Sequence, residues 1–216
     1  MSFKGIIFDL DGTLLDTIED IADSMNRVLS EHNLPTHDTE AYRLFVGSGI
    51  KNLVKEALPE SHRNEETIQS FFETMYYLYK ENCVNKTKPY NGIIDLLNEL
   101  AKREIKMAIL SNKADEMTQQ TAGTLLPAEY FSEIAGLTDD APPKPNPQKA
   151  LQMSKEMGIA PKDIIYVGDT DVDMQTASNA GMYAVGVLWG FRGEAELLAN
   201  GAQKILRNPS ELVNLL

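Results

Sequence analysis

Polar and apolar positions follow three rhythms along the chain. The first is a short apolar run, Ile6-Ile7-Phe8, that stops at Asp9-Leu10-Asp11-Gly12-Thr13; it predicts a buried strand giving way to a loop. The second begins with Ile18, Ile21, Ala22, Met25, Val28 and Leu29 at helical spacing, with Glu19, Asp20 and Asp23 between them, an amphipathic helix. Further helices are predicted over 39–46, 50–58 and 64–83, with no strand candidate among them. A helical run of about 70 residues is too long for a simple crossover. Residues 16–86 therefore read as an inserted, small all-helical domain.

The third rhythm follows the Pro- and Gly-marked connector Lys86 to Gly92. Helices at 93–102, 114–125, 148–157, 172–180, 194–199 and 210–215 alternate with apolar strands at 107–110, 164–167 and 184–187 and an extended piece near 134–136. Alternation of this kind predicts an α/β fold with a doubly wound, parallel-sheet, Rossmann-like core. The expected organisation is a core of residues 1–15 and 87–216, interrupted by the helical domain of 16–86. Sites in such sheets lie at the carboxyl ends of the strands.

The aromatic stretch Phe71, Phe72, Met75, Tyr76, Tyr77, Leu78 and Tyr79 has helical spacing, which points to core packing and not to a ligand box. Trp189 is expected in the core as well. His32, His37 and His62 lie in polar surroundings without a second ligand at metal spacing and are expected at the surface.

Composition narrows the function. The chain has 216 residues, 43% of them hydrophobic, and a formal net charge of −12. That balance excludes a basic footprint for nucleic acid and favours small molecules or a metal cation as partners. No stretch approaches the roughly 20 apolar residues of a membrane span, and the lone cysteine, Cys83, suits a reducing compartment. A cytoplasmic protein with no membrane partner, monomer or homodimer, is expected.

The candidate chemistry sits where strands end. One-residue spacing points Asp9 and Asp11 to the same side of an extended chain. Ser111 and Asn112 follow the strand at 107–110, and Gly168, Asp169 and Asp173 follow that at 164–167. Between them, the Pro-rich loop 139–147 presents Lys144. Each piece alone has an ordinary reading as a turn, a helix cap or a solvated charge; their order and shared sheet edge carry the weight. Four aspartates, Asp9, Asp11, Asp169 and Asp173, would face the single Lys144. Such crowding calls for a hard divalent cation with oxygen ligands, and Mg2+ fits.

In this order the motifs resemble the haloacid dehalogenase superfamily of phosphohydrolases: Asp9-Leu10-Asp11-Gly12-Thr13, Ser111-Asn112, Lys144-Pro145, and Gly168-Asp169 with Asp173. The helical insert is similar to that superfamily's C1 cap. Gly12 to Thr17, Val46 to Ile50 and Leu188 to Phe191 look most like phosphoglycolate phosphatases. The resemblance implies a phosphatase that attacks phosphorus with Asp9, uses Asp11 as acid and then base, and passes through an aspartyl-phosphate. It further implies Mg2+ on Asp9, Asp169 and the Asp11 main-chain carbonyl, with Asp173 acting through water or on Lys144. Thr13, Ser111, Asn112 and Lys144 would serve the phosphate. In the cap, Gly47 and Lys51, with Arg43 nearby, are candidates to meet the rest of a small phosphate ester, 2-phosphoglycolate foremost.

Rival readings are an inorganic pyrophosphatase of the same family, a sugar phosphomutase resembling β-phosphoglucomutase, and a non-catalytic phosphate-responsive protein comparable to a receiver domain. The mutase is disfavoured because residues 16–23 contain no histidine. Dehalogenation is disfavoured because Asp11 has no use in halide departure, and the complete acid pair speaks against a non-catalytic role.

Overall fold

The computed structural model of the protein describes residues 3–216. The elements run β1 (Gly5–Phe8), β2 (Leu15–Asp16), α1 (Ile18–Glu31), α2 (Thr39–Phe45), α3 (Ile50–Ala57), α4 (Glu65–Asn82), β3 (Lys88–Pro89), α5 (Ile93–Lys102), β4 (Lys106–Ala114), α6 (Asp115–Leu125), β5 (Phe131–Leu137), α7 (Gln148–Met157), β6 (Ile164–Gly168), α8 (Asp171–Ala180), β7 (Tyr183–Val187), α9 (Glu194–Ala199) and β8 (Lys204–Leu206), with a closing 3-10 helix over Pro209–Leu215.

Six strands form one parallel sheet in the order β5-β4-β1-β6-β7-β8. Successive residues of β1 serve opposite layers. Ile6 and Phe8 pack with α5 and the closing helix, whereas Ile7 packs with α7, α8 and α9. Strands covered on both faces read as continuous apolar runs, which is why Ile6-Ile7-Phe8 lacks alternation. The chain leaves β1 for β4 and β5 on one side, then returns to β6, β7 and β8 on the other. The switch point therefore lies at the carboxyl end of β1.

Helices α1 to α4 surround a further apolar cluster, including Met25, Leu29, Tyr42, Val54, Phe71, Met75 and Tyr79, to which Met117 and Phe191 also contribute. Asp38 caps α2 by accepting from Ala41 N at 2.9 Å, and Asn64 caps α4 by accepting from Thr67 N at 2.9 Å, each satisfying an amide that the first turn leaves unpaired. Among the described residues no helix is long and apolar enough to cross a membrane.

Several details differ from the periodicity. Strand β4 continues beyond Leu110 to Ala114 because Ser111, Asn112 and Lys113 find polar partners indoors. The short strand β8 and the antiparallel ribbon β2–β3 (Leu15 opposite Pro89, Asp16 opposite Lys88) have no counterpart in the hydropathy pattern; pieces of two or three residues are too short for a period to register. The closing helix is 3-10, not α. His37 is not simply solvated: its Nε2 lies 2.8 Å from Ala57 O, and its backbone N donates to Asn26 Oδ1.

Asp20, in the first turn of α1, is 2% exposed. Its carboxylate accepts from Lys86 N, from Thr87 N at 2.8 Å and from Thr87 Oγ1 at 2.7 Å, so it joins the two chain crossings between the helical block and the sheet. Asp20→Ala strands these donors in a buried setting and is expected to cost about 3 kcal/mol, read as a lower urea midpoint. Asp23→Ala, which removes only an exposed pair with Lys86, should cost under about 1 kcal/mol. Equal effects would contradict the assignment.

Candidate active site

The site is built from the carboxyl ends of the three central strands. Asp9 directly follows β1, with its N donating to Val167 O at 2.9 Å. Ser111, Asn112 and Lys113 form the end of β4, and Asp169 follows β6. Lys144 enters from the loop before α7, positioned by Asn112: Lys144 N donates to Asn112 Oδ1 at 2.9 Å, and Asn112 Nδ2 donates back to Lys144 O at 3.1 Å. The Lys144 ammonium lies 2.7 Å from both Asp9 Oδ1 and Asp173 Oδ1. Asp173 spends its other oxygen on Thr170, as part of the capping box that starts α8.

Asp169 is fully buried. Its two oxygens accept from Thr13 Oγ1 and Phe191 N, each at 2.8 Å. Two glycines make this seat possible. Gly12 has φ +87°, and a Cβ there would fall 2.2 Å from Asp169 Oδ2; a Cβ on Gly190 would fall 2.4 Å from both Asp169 Cβ and Gly12 O. The Gly12 conformation is one that L side chains rarely adopt.

Ligand atoms of Asp9, Asp169 and Asp173 lie within 4.8 Å of one another. Burial pushes the Asp9 carboxyl well above the ordinary carboxylate range, reinforced by the charge on Asp173 and opposed by Lys144. Burial, then Asp173, pushes Asp169 up to about 7 despite the Phe191 amide, Thr13 and Lys144. Burial would pull Lys144 down, but Asp173 and Asp9 more than reverse this and keep it an ammonium. The donors are hard oxygens with a surplus of negative charge, and Asp9 Oδ2 has no hydrogen-bond partner among the described residues. A divalent cation of the Mg2+ type fits that set.

A cavity opens above this floor. Asp9, Asp11, Ser111, Lys113 and Lys144 line it from below, and Ile21, Val46, Gly47, Ile50, Met75 and Tyr79 are among those lining it from the helical block. The Lys113 ammonium is 2.9 Å from Asp11 Oδ1 and also donates to Tyr79 Oη. The expectation of one lysine facing four aspartates is thus corrected: there are two, each paired. Alternation would have found the second, since residues two apart share a strand face, had the strand not been expected to end at Leu110.

Other expected residues are placed differently. Thr13, fully buried, is no part of the cavity wall and holds Asp169 instead. The Asn112 side chain is spent on Lys144 and on Gly47 O, 3.0 Å away. Lys51 lies outside the cavity, paired with Glu65 at 2.7 Å in solvent. Arg43 donates to Gly190 O at 3.0 Å, and Arg192 donates in return to Arg43 O, to Leu44 O at 3.1 Å and to Val46 O at 2.9 Å. This reciprocal clasp joins α2 to the loop that holds Asp169; nothing in the local sequence signals it. Met75 and Tyr79 pack in the helical core, as their spacing predicts, and also face the cavity. Trp189 is half-buried against the sheet cluster and donates to Thr13 O at 2.9 Å.

Residues 6–187 match the sequence profile of the haloacid dehalogenase-like hydrolases. The chain belongs to that family. A phosphoglycolate phosphatase of Aquifex aeolicus is 32% identical over 211 residues, covering 98% of this chain and 95% of its own length. Another, from Chromobacterium violaceum, is 30% identical over 217 residues, covering 99% and 96%. The solved structure of a haloacid dehalogenase-like hydrolase from Streptococcus pneumoniae superposes with a TM-score of 0.89 at 27% identity, over 99% of this chain and 98% of that one.

Protons would compete with a divalent cation for the oxygens of Asp9 and Asp169. A carboxyl raised in the folded state stabilises below its ordinary range and loses that contribution as pH rises through its folded value. The metal-free protein should therefore lose stability between about pH 4 and pH 7 at Asp169. Adding Mg2+ at a hundredfold its Kd should restore about 2.7 kcal/mol at pH 8, and less at pH 6. Thermal melts check this. A Mg2+ increment that is unchanged by pH, or retained in Asp169→Asn, would contradict the assignment.

Proposed function

We propose that this hydrolase is a Mg2+-dependent phosphomonoesterase of small phosphorylated metabolites, with 2-phosphoglycolate as its substrate. The observation that carries the reading is the pairing of two carboxylates with two lysines in one cavity: Asp9 on Lys144 and Asp11 on Lys113. The names of the full-length relatives support the substrate.

In this reading the Asp9 carboxylate attacks phosphorus, and the bond from phosphorus to the leaving oxygen breaks as Asp11 delivers a proton to that oxygen. Asp11 then removes a proton from water as the water attacks the aspartyl-phosphate; the acyl-phosphate bond breaks, freeing Asp9 and inorganic phosphate. Ser111 and nearby backbone amides hold phosphoryl oxygens, and Lys144 offsets charge on the transferring group. Asp9, the Asp11 main-chain carbonyl and Asp169 would hold Mg2+, which would keep Asp9 ionised and neutralise phosphoryl charge. Thr13, Gly12 and Gly190 fix Asp169, and Asp173 fixes Lys144.

Residues 16–86 act as a cap over a core of 1–15 and 87–216, excluding water and contacting the leaving group. The cap supplies an apolar wall relieved by the Tyr79 hydroxyl. That wall suits a short leaving group and offers little to a sugar, as a phosphomutase would require, or to the many anionic oxygens of pyrophosphate. The one buried, unpaired cysteine suits a cytoplasmic setting.

Phosphate release with Mg2+ over a panel of monoesters and pyrophosphate tests this. The expected result is the highest kcat/KM on 2-phosphoglycolate, and a loss of at least about 10³-fold in Asp9→Asn. Full activity in Asp9→Asn, or a preference for pyrophosphate, would overturn it.

A further inference from the structure

A cavity that takes a small acid must offer that acid a cation, and the charges here are mostly spent. Lys144 is held at 2.7 Å by two aspartates on the floor. Lys51 faces solvent with Glu65. Arg43 and Arg192 are committed to backbone carbonyls of the clasp. Lys113 differs. Its side chain is 1% exposed, it lines the cavity, and its ammonium makes two hydrogen bonds, to Asp11 and to Tyr79. An ammonium has three donors, so one is left.

Tyr79 adds a second donor at the same spot. Its oxygen accepts from Lys113, and its own O–H has no acceptor among the described residues. The ammonium also sits 4.6 Å from the Tyr79 ring centroid, so the pair is pre-set by packing. One N–H and one O–H side by side match the two oxygens of a carboxylate. The surrounding wall, Ile21, Val46, Ile50, Leu53 and Met75, provides no other polar side chain to compete for it.

The position relative to the chemistry fixes the size of the acid. The leaving oxygen must come within hydrogen-bond reach of Asp11, about 2.6–3.2 Å, and Lys113 is 2.9 Å from that same carboxylate. The two distances bring the leaving oxygen and the ammonium to the same carboxylate, so a negative group one carbon removed from that oxygen can reach Lys113.

We propose that Lys113, with Tyr79, is the specificity-determining receptor for a carboxylate on the leaving group, selecting phosphate esters of short hydroxy acids over neutral esters of equal size. The proposal deepens the function above and rests on its assignment of Asp9 and Asp11. Because Lys113 comes from the sheet and Tyr79 from α4, the receptor exists only when the helical block sits on the core. A bound acid thus also fastens the two together.

The test compares 2-phosphoglycolate with its neutral amide, in wild type, Lys113→Met and Tyr79→Phe. Wild type should favour the acid. Lys113→Met, similar in length and apolar in a buried setting, should reduce the ratio of acid to amide in kcat/KM by about 100-fold, and Tyr79→Phe by about 10-fold. A fall of equal size for acid and amide would mean that Lys113 only positions Asp11, and would overturn the proposal. Calorimetric binding of both compounds to Asp9→Asn and Asp9→Asn/Lys113→Met, with thermal melts to verify folding, separates recognition from turnover. If Asp9→Asn distinguishes acid from amide through Lys113 while wild type releases no phosphate, the receptor stands and the proposed hydrolysis falls. If wild type hydrolyses both alike, the hydrolysis stands and the receptor falls.

Discussion

Asp9 and Asp173 each stand 2.7 Å from the Lys144 ammonium, with Asp169 beside them. Two like charges about 4 Å apart at an effective dielectric near 20 repel by about 4 kcal/mol, so carboxylates this close cannot be held by packing alone. The ammonium joins three separate pieces of chain: the end of β1, the first turn of α8 and the loop before α7. Asn112 fixes the backbone of that loop from a fourth, β4. Breaking one partner of such a buried group leaves the others uncompensated, which makes the arrangement both rigid and demanding. The carboxyls remain partly starved of positive charge, and this unrelieved demand is what a cation and a phosphoryl group would answer.

The sheet order makes that crowding possible. With β1 central and the chain reversing direction across it, the loops after β1, β4 and β6 open onto one crevice. The helical block closes the crevice from above with apolar side chains, so charges on the floor are screened by protein more than by water. The clasp of Arg43 and Arg192 fastens α2 to the loop 190–192, whose Phe191 amide binds Asp169. Closure of the helical block and the seat of a candidate metal ligand are therefore parts of one connected set of hydrogen bonds.

The floor and the roof also divide the labour of recognition. Most of what would meet a phosphoryl group is on strand ends, with Lys144 brought in by the loop before α7. What would meet the leaving group comes from the helical block and from one buried lysine of the floor, Lys113. A chemistry fixed on the sheet can thus serve different leaving groups as the roof changes.

Local pattern was enough for much of this. Neighbouring residues carry the periodicity that separates helix from strand, so α5 and α7 appear at their expected bounds and the acidic pair falls at the end of β1. The serine, asparagine and aspartates after β1, β4 and β6 were legible because they follow apolar runs closely, and Lys144 because it stands alone in a Pro-rich loop. The tertiary structure alone decided how those groups are spent. Thr13 turns to Asp169 across 156 residues, Asn112 to Lys144 and Gly47, and Lys51 away to Glu65. Lys113 meets Tyr79 only because β4 and α4 are brought face to face. Hydropathy records whether a residue is buried, not which distant partner shares its burial; partnership depends on strand order and on the seating of the helical block, neither of which any short stretch of sequence contains.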